Sequence, residues 1–179
     1  MRRSVYRSKP LPRGSIRGRY LIAEPVINAT RDALISFALD GIHDAGHEGM
    51  AFWAGRQSGD DTLLVQAIVP RAEHTHGSVL ANRNAVSQAA RTARSQGLGL
   101  LGQVHSHPGT DARHSDGDDH LVLLPFENMI SVVTPQLGLR FRALADVCVH
   151  QFQDGRWVLC SVESVASRMI LIPSAVDLR

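Results

Sequence analysis

The chain has 179 residues, 44% of them hydrophobic and 20% charged, with a formal net charge of +2. That is ordinary globular usage and suits one domain with a sizeable core. No apolar run approaches the ~18 residues of a membrane span, and the basic N-terminus lacks the apolar stretch of a secretory signal. The charge is unevenly spread. Arg2, Arg3, Arg7, Lys9, Arg13, Arg17 and Arg19 all precede residue 20 with no acid among them, so the remainder is net acidic. Residues 1–20 read as a basic, flexible arm. The arm has no aromatic platform or nucleic-acid motif, so nucleic acid is not the expected partner.

Taken in chain order, apolar Ala33, Leu34, Phe37, Ala38 and Ile42 recur at helical spacing. They predict a helix over 28–45 with Gly46 as its stop. GMAFWAG at 49–55 reads as a strand, SGDD at 58–61 as a turn, and TLLVQAIV at 62–69 as the returning strand, ended by Pro70. RAEHTHGS at 71–78 reads as a polar loop that lines whatever groove lies nearby. Residues 82–96, with Val86, Ala89, Ala90 and Ala93 on one side and Gly97 after them, predict a second helix. LGLLGQVHSH at 98–107 reads as a strand, and Ser115 to Leu124 as a helix stopped by Pro125. Segments 129–134, 143–152 and 156–162 read as three more strands, the last two joined by an Asp154-Gly155 hairpin turn. This order predicts an α/β (α+β) domain over 21–165, one mixed sheet with helices against it, and a tail over 166–179. Cys148 and Cys160 lack CxxC spacing and sit in apolar, strand-like surroundings. They read as small core residues in a reducing cytoplasm.

The stretch VHSHPGTDARHSDGDD, 104–119, collects three histidines and four carboxylates between two apolar runs. His105 and His107 alternate on a strand end, so both imidazoles face the same way, and Pro108 then turns the chain. Ser115 and Asp118 have the spacing of a helix capping box, although that box prefers Glu or Gln at its last position. Two imidazoles and a carboxylate are a usual catalytic zinc set with a fourth position for water. Asp116 and Asp119 compete with Asp118 for the third place. His114 and His120 read as solvent-facing or as outer supports. His47-Glu48 lacks the second histidine of an H-E-x-x-H helix, and GLGLLG at 97–102 enters a strand rather than leaving one, which excludes a dinucleotide fingerprint.

H-S-H-P at 105–108, six residues, then S-D-G-D at 115–118 resembles the JAMM (MPN-plus, JAB) metalloprotease signature His-x-His-Pro, spacer, Ser-x-x-Asp. Glu48, after a helix and opening a strand that ends at Gly55, matches the family's upstream glutamate. The resemblance covers about 22–165. It implies a cytidine-deaminase-like, three-layer mixed sheet and one zinc per chain on His105, His107 and Asp118, with the family spacing choosing Asp118 over its rivals. It implies Glu48 as general acid/base and Ser115 as orienter of the water and donor to the oxyanion. It further implies a peptidase or isopeptidase acting after the C-terminus of a ubiquitin-like protein or sulfur carrier. Bacterial relatives include members of antiphage operons with E1-like and E2-like enzymes. A binding scaffold on the same fold would lack the metal set, which is complete here. The spacer TDARH is more polar than the family's aromatic or aliphatic usage. MISVVT at 129–134 is the expected groove wall for an extended tail.

Overall fold

The computed structural model describes residues 9–121 and 125–174, without the side chains of Asp44, His120 and Leu121. Strands β1 (Arg13–Gly14) and β2 (Arg19–Ala23) lead into helix α1 (Glu24–Asp40). The hairpin of β3 (Met50–Ser58) and β4 (Asp61–Ile68) follows, then a small hairpin, β5 (Glu73–Thr75) and β6 (Ser78–Leu80), and α2 (Arg83–Ser95). Next come β7 (Gly99–Ser106), α3 (Asp118–Leu121) and β8 (Ile130–Thr134). The chain closes with β9 (Cys148–Gln153), β10 (Arg156–Cys160), α4 (Val162–Arg168) and β11 (Met169–Ile172). Among the described residues nine strands form one mixed sheet in the order β1-β10-β9-β8-β7-β3-β4-β2-β11, and β5 and β6 pair apart from it. Among the described residues no helix is long and apolar enough to cross a membrane.

Both large helices form for reasons written in their sequence, and they take opposite faces of the sheet. In α1, Val26, Ile27, Thr30, Leu34, Phe37 and Ala38 make one buried stripe at helical spacing. Pro25, in its first turn, needs no hydrogen bond there and is pre-set for helix. This start lies four residues before the expected one. The helix also ends earlier, at Asp40, and Ile42 is exposed on a short 3-10 turn. Gly41 is the C-cap, and a Cβ there would lie 2.2 Å from the His47 ring, so the close approach of the returning chain needs glycine at this position. In α2, the Asn82 side chain accepts from the Ala85 amide at 3.0 Å as an N-cap, and Ala85, Ala89 and Ala93 are its buried face.

Alternation along β3 separates the layers. Trp53 points into the core shared with Val26, Ile27 and Leu34 of α1, and its indole N–H donates to Thr30 Oγ1 at 2.8 Å. Met50 and Phe52 point the other way, into a second cluster with Val79 of β6 and Ala85 and Ala89 of α2. Helix, sheet and helix are thus three layers. Leu34 is fully buried in the first cluster. Leu34→Ala should destabilise the fold by about 2–5 kcal/mol, seen as a lower midpoint in urea unfolding.

The hairpin turns fall where the sequence places them. Gly59 (φ 57°) turns β3 into β4, and Asp154 and Gly155 (φ 50° and 75°) join β9 to β10. Other expectations need correction. The 71–78 loop is in part the β5–β6 hairpin, turning at His76 and Gly77. The segment 143–152 begins as a 3-10 turn at Leu144–Asp146 before β9. MISVVT is not an edge: β8 is hydrogen-bonded by β7 on one side and β9 on the other, so no tail can pair with it. Within the basic arm, β1 pairs with β10 and β2 with β4 and β11, while Arg17 bonds Asp154 and Glu127 and Arg19 bonds Asp61. Residues 169–172 of the expected tail are β11. The expected flexibility therefore does not extend to these stretches, because their backbones are tied into the sheet. Residues 2, 3 and 7 of the arm and the predicted helix end at Leu124 lie outside the described residues. Both cysteines are free thiols, Cys160 buried and Cys148 half-buried. Burial pushes both thiols up, Cys160 to about 12, which keeps them protonated and inert.

Candidate active site

The site forms where the parallel pair β7–β8 ends. Crevices at the carboxyl ends of parallel strands collect functional groups because the crossover chain must leave there. His107 sits just past β7. Its backbone N–H donates to the Thr134 carbonyl at 2.8 Å and its carbonyl accepts from the Leu137 amide at 2.8 Å, so the β8 end fixes it. His105 is within β7, opposite Met50 of β3. The crossover then returns Ser115 and Asp118 to the same place. The Ser115 amide donates to Asp118 Oδ2 at 2.6 Å and the Asp118 amide donates to Ser115 Oγ at 3.2 Å, the reciprocal pair expected from their spacing.

The three expected ligands converge. His105 Nε2 and His107 Nε2 are 3.2 Å apart, His107 Nε2 and Asp118 Oδ2 3.1 Å, and His105 Nε2 and Asp118 Oδ1 3.4 Å. All three side chains are buried, and one ligand atom from each lies within 4.8 Å of the others. Among the described residues no other group of His, Cys, Asp or Glu meets this condition. A tetrahedral ion with bonds of ~2.0–2.1 Å spaces its ligand atoms about 3.3 Å apart, so the triangle fits one. The donor chemistry fits as well. His107 Nδ1 lies 2.9 Å from the Asp111 carbonyl and must donate to it. In the neutral ring Nε2 then presents a lone pair to a carboxylate oxygen, and two acceptors so close need a proton or a cation between them. Burial lowers the His107 pKa, but the Asp118 carboxylate outweighs it and the net shift is upward. Burial likewise raises Asp118, yet hydrogen bonds and charge from His105 and His107 hold it well below the usual carboxylate range. Among the described residues His105 Nδ1 has no hydrogen-bond partner.

Glu48 enters from β3. Gly49 and Ser106 bond backbone to backbone, and extending the Met50–His105 register by two residues sets Glu48 opposite His107. Its carboxyl is buried and feels the charges of His107 and Asp118. Burial is the main cause that pushes it up to about 8; Asp118 adds to this and His107 opposes it. Ala45 and Gly46, both with positive φ, swing the chain out of the α1 turn to bring Glu48 in. The β5–β6 hairpin flanks it, since the Glu48 amide donates to the Thr75 carbonyl at 2.9 Å and His47 and His74 approach at 3.0 Å through their Nδ1 atoms.

With this geometry in view, the likeness to known proteins is specific. The model for prokaryotic homologs of the JAB domain matches residues 30–144. The chain belongs to this family. A curated Sinorhizobium fredii protein named probable metalloprotease y4jG is 30% identical over 141 residues, 76% of this chain and 86% of that one. Two solution structures share the fold at low identity. A Desulfitobacterium hafniense protein aligns with TM-score 0.64 and 17% identity, over 87% of this chain and 94% of its own. A Salinibacter ruber protein aligns with TM-score 0.54 and 13% identity, over 88% and 95%. The JAB-family sheet and its helices are therefore the frame on which the buried triangle is built.

All five expected site residues are brought together: His105, His107 and Asp118 in the triangle, Ser115 on Asp118, Glu48 alongside. Asp116 and Asp119 are not in the triangle. His114 is not solvent-facing but 1% exposed, stacked on His150 at 3.9 Å between ring centroids. Burial lowers the pKa of both rings, His150 the more, so both are neutral. The His120 side chain lies outside the described residues. The polar spacer was the only sequence signal for this second histidine pair; His150, on β9, had none.

Proposed function

We propose that the chain is a zinc-dependent peptidase that hydrolyses the amide or isopeptide bond after the C-terminal tail of a ubiquitin-like protein, in deconjugation or precursor processing. The observation that carries this reading is the buried His105–His107–Asp118 triangle with an ionisable carboxyl, Glu48, set beside it. Zinc held by the three would supply a polarised water, acidic near pH 7, and a Lewis acid for the scissile carbonyl. Glu48 takes the proton of the hydrolytic water and returns it to the leaving amine. A nearby divalent charge opposes the desolvation that raises its pKa, which favours the ionised, base form. Ser115 Oγ accepts from the Asp118 amide and directs its own O–H at the developing oxyanion.

An extended tail needs a strand edge, and β8 offers none. The β5–β6 hairpin supports the reading instead, as a small separate sheet next to Glu48. The partners proposed are a ubiquitin-like modifier or its conjugates and E1-like and E2-like enzymes of a bacterial antiphage system, in the cytoplasm. The test is cleavage of ubiquitin-like and sulfur-carrier fusions carrying a C-terminal reporter, with products weighed by mass spectrometry. A cut directly after the tail by wild type, and none by Glu48→Gln, is expected. Equal cutting by both, or cutting at scattered sites, would sink the reading.

A further inference from the structure

Beneath the three metal-facing side chains lies a second polar cluster that the reaction above does not use. Both ring nitrogens of His114 are engaged. Nδ1 lies 3.3 Å from Asp119 Oδ1, and Nε2 lies 2.8 Å from Ser131 Oγ on β8. An ionised carboxylate only accepts, so Nδ1 carries the ring proton and Nε2 accepts from the Ser131 hydroxyl. Ser131 Oγ accepts in turn from Gln103 Nε2 at 3.1 Å. The backbone N–H of His114 donates to His150 Nε2 at 3.3 Å, beneath the ring stack. Carboxylate, imidazole and hydroxyl here have the bonding order of a hydrolytic triad. Ser131, however, is 0% exposed in the middle of the sheet, so no substrate reaches its oxygen. A buried, linked set of this kind holds its surroundings in place.

What it holds is the turn 114–119. His114 anchors the turn at its start through its own backbone and ring, and at its end through Asp119. Ser115 and Asp118 lie between these anchors. Their reciprocal bonds set the shape of the turn, whereas the bonds of His114 set its place on β8 and β9. We propose that His114 is a positioning residue that clamps this turn to the sheet through Asp119 and Ser131, and so sets the Asp118 carboxylate against His105 and His107. The consequence for metal rests on the reading of the site given above; the clamp itself does not. It also gives the polar spacer a role, because an aliphatic side chain at 114 could bond neither Asp119 nor Ser131.

Two variants test it. Asp119→Asn, at a carboxylate whose side chain is 26% exposed, removes the charge that orients the ring. His114→Gln can keep the Ser131 partner while losing Asp119. In the metal-free protein, amide hydrogen exchange at Ser115 and Asp118 should speed up by about tenfold or more in both variants, with exchange in α1 unchanged. Zinc affinity, read by chelator competition, should fall by ~10–100-fold. Wild-type exchange at both amides, or wild-type zinc affinity in both variants, would overturn the proposal. If His114→Gln fails to fold, Asp119→Asn alone decides. A wild-type protein that binds no zinc, with the exchange change still present, would remove the metal reading and leave the clamp standing.

Discussion

Glu48→Gln is expected to keep its metal and lose ~10²–10⁴-fold in turnover. The amide fills the same buried space but cannot take a proton from water. The same substitution has a second signature that needs no substrate. In the metal-free wild type, the folded state holds the Glu48 proton up to about pH 8, whereas the unfolded chain releases it near 4.5. Between those values the folded state binds more protons than the unfolded one, so wild-type stability falls as pH rises. Glutamine has no such dependence. The Gln variant should therefore match the wild type near pH 4 and exceed it by roughly 3–5 kcal/mol above pH 8, at about 1.4 kcal/mol per pKa unit. Urea unfolding of both metal-free proteins at the two ends of that range checks it; parallel curves would mean that Glu48 is not the buried acid described.

Asp118→Ala should drop metal content from about one ion per chain to almost none, measured by mass spectrometry of the purified proteins. The carboxylate is the sole anionic member of the triangle, and two neutral imidazoles do not hold the ion in its place. The wild-type site also has a pH limit of known sign. His107 keeps a proton to a higher pH than a free imidazole, and that proton sits where a metal would bind. Acidification should therefore release metal, and the release should be absent at alkaline pH. Metal retained undiminished in the Ala variant would move the third ligand to another group.

The site was legible because its parts are local. Two residues on one strand end, a proline, and a four-residue cap carry the triangle, and each rests on short-range geometry that spacing encodes. Glu48 was legible only through the likeness, since a single acid before a strand is common; its place comes from the β3–β7 register. The misses were long-range. Nothing within MISVVT says that β9 covers its free side, and nothing near Arg19 says that Met169–Ile172 pairs beyond it. For His114 the choice between a solvent-facing ring and an outer support stayed open, because an imidazole in a polar spacer looks solvated until Ser131 and His150, far along the chain, are seen to receive it.

The parallel pairs β1–β10 and β2–β11 have a consequence for synthesis. Each joins a segment before residue 24 to one after residue 155, so both ends of the sheet wait until residues 156–172 have been made. A nascent chain can assemble β3, β4, β7 and β8, and with them the whole metal triangle, while β2 still presents an open backbone to its neighbours. Non-local pairing of this kind is slow. In that interval the exposed strand is a point of capture for other nascent chains, and β11 is the strand that shields it.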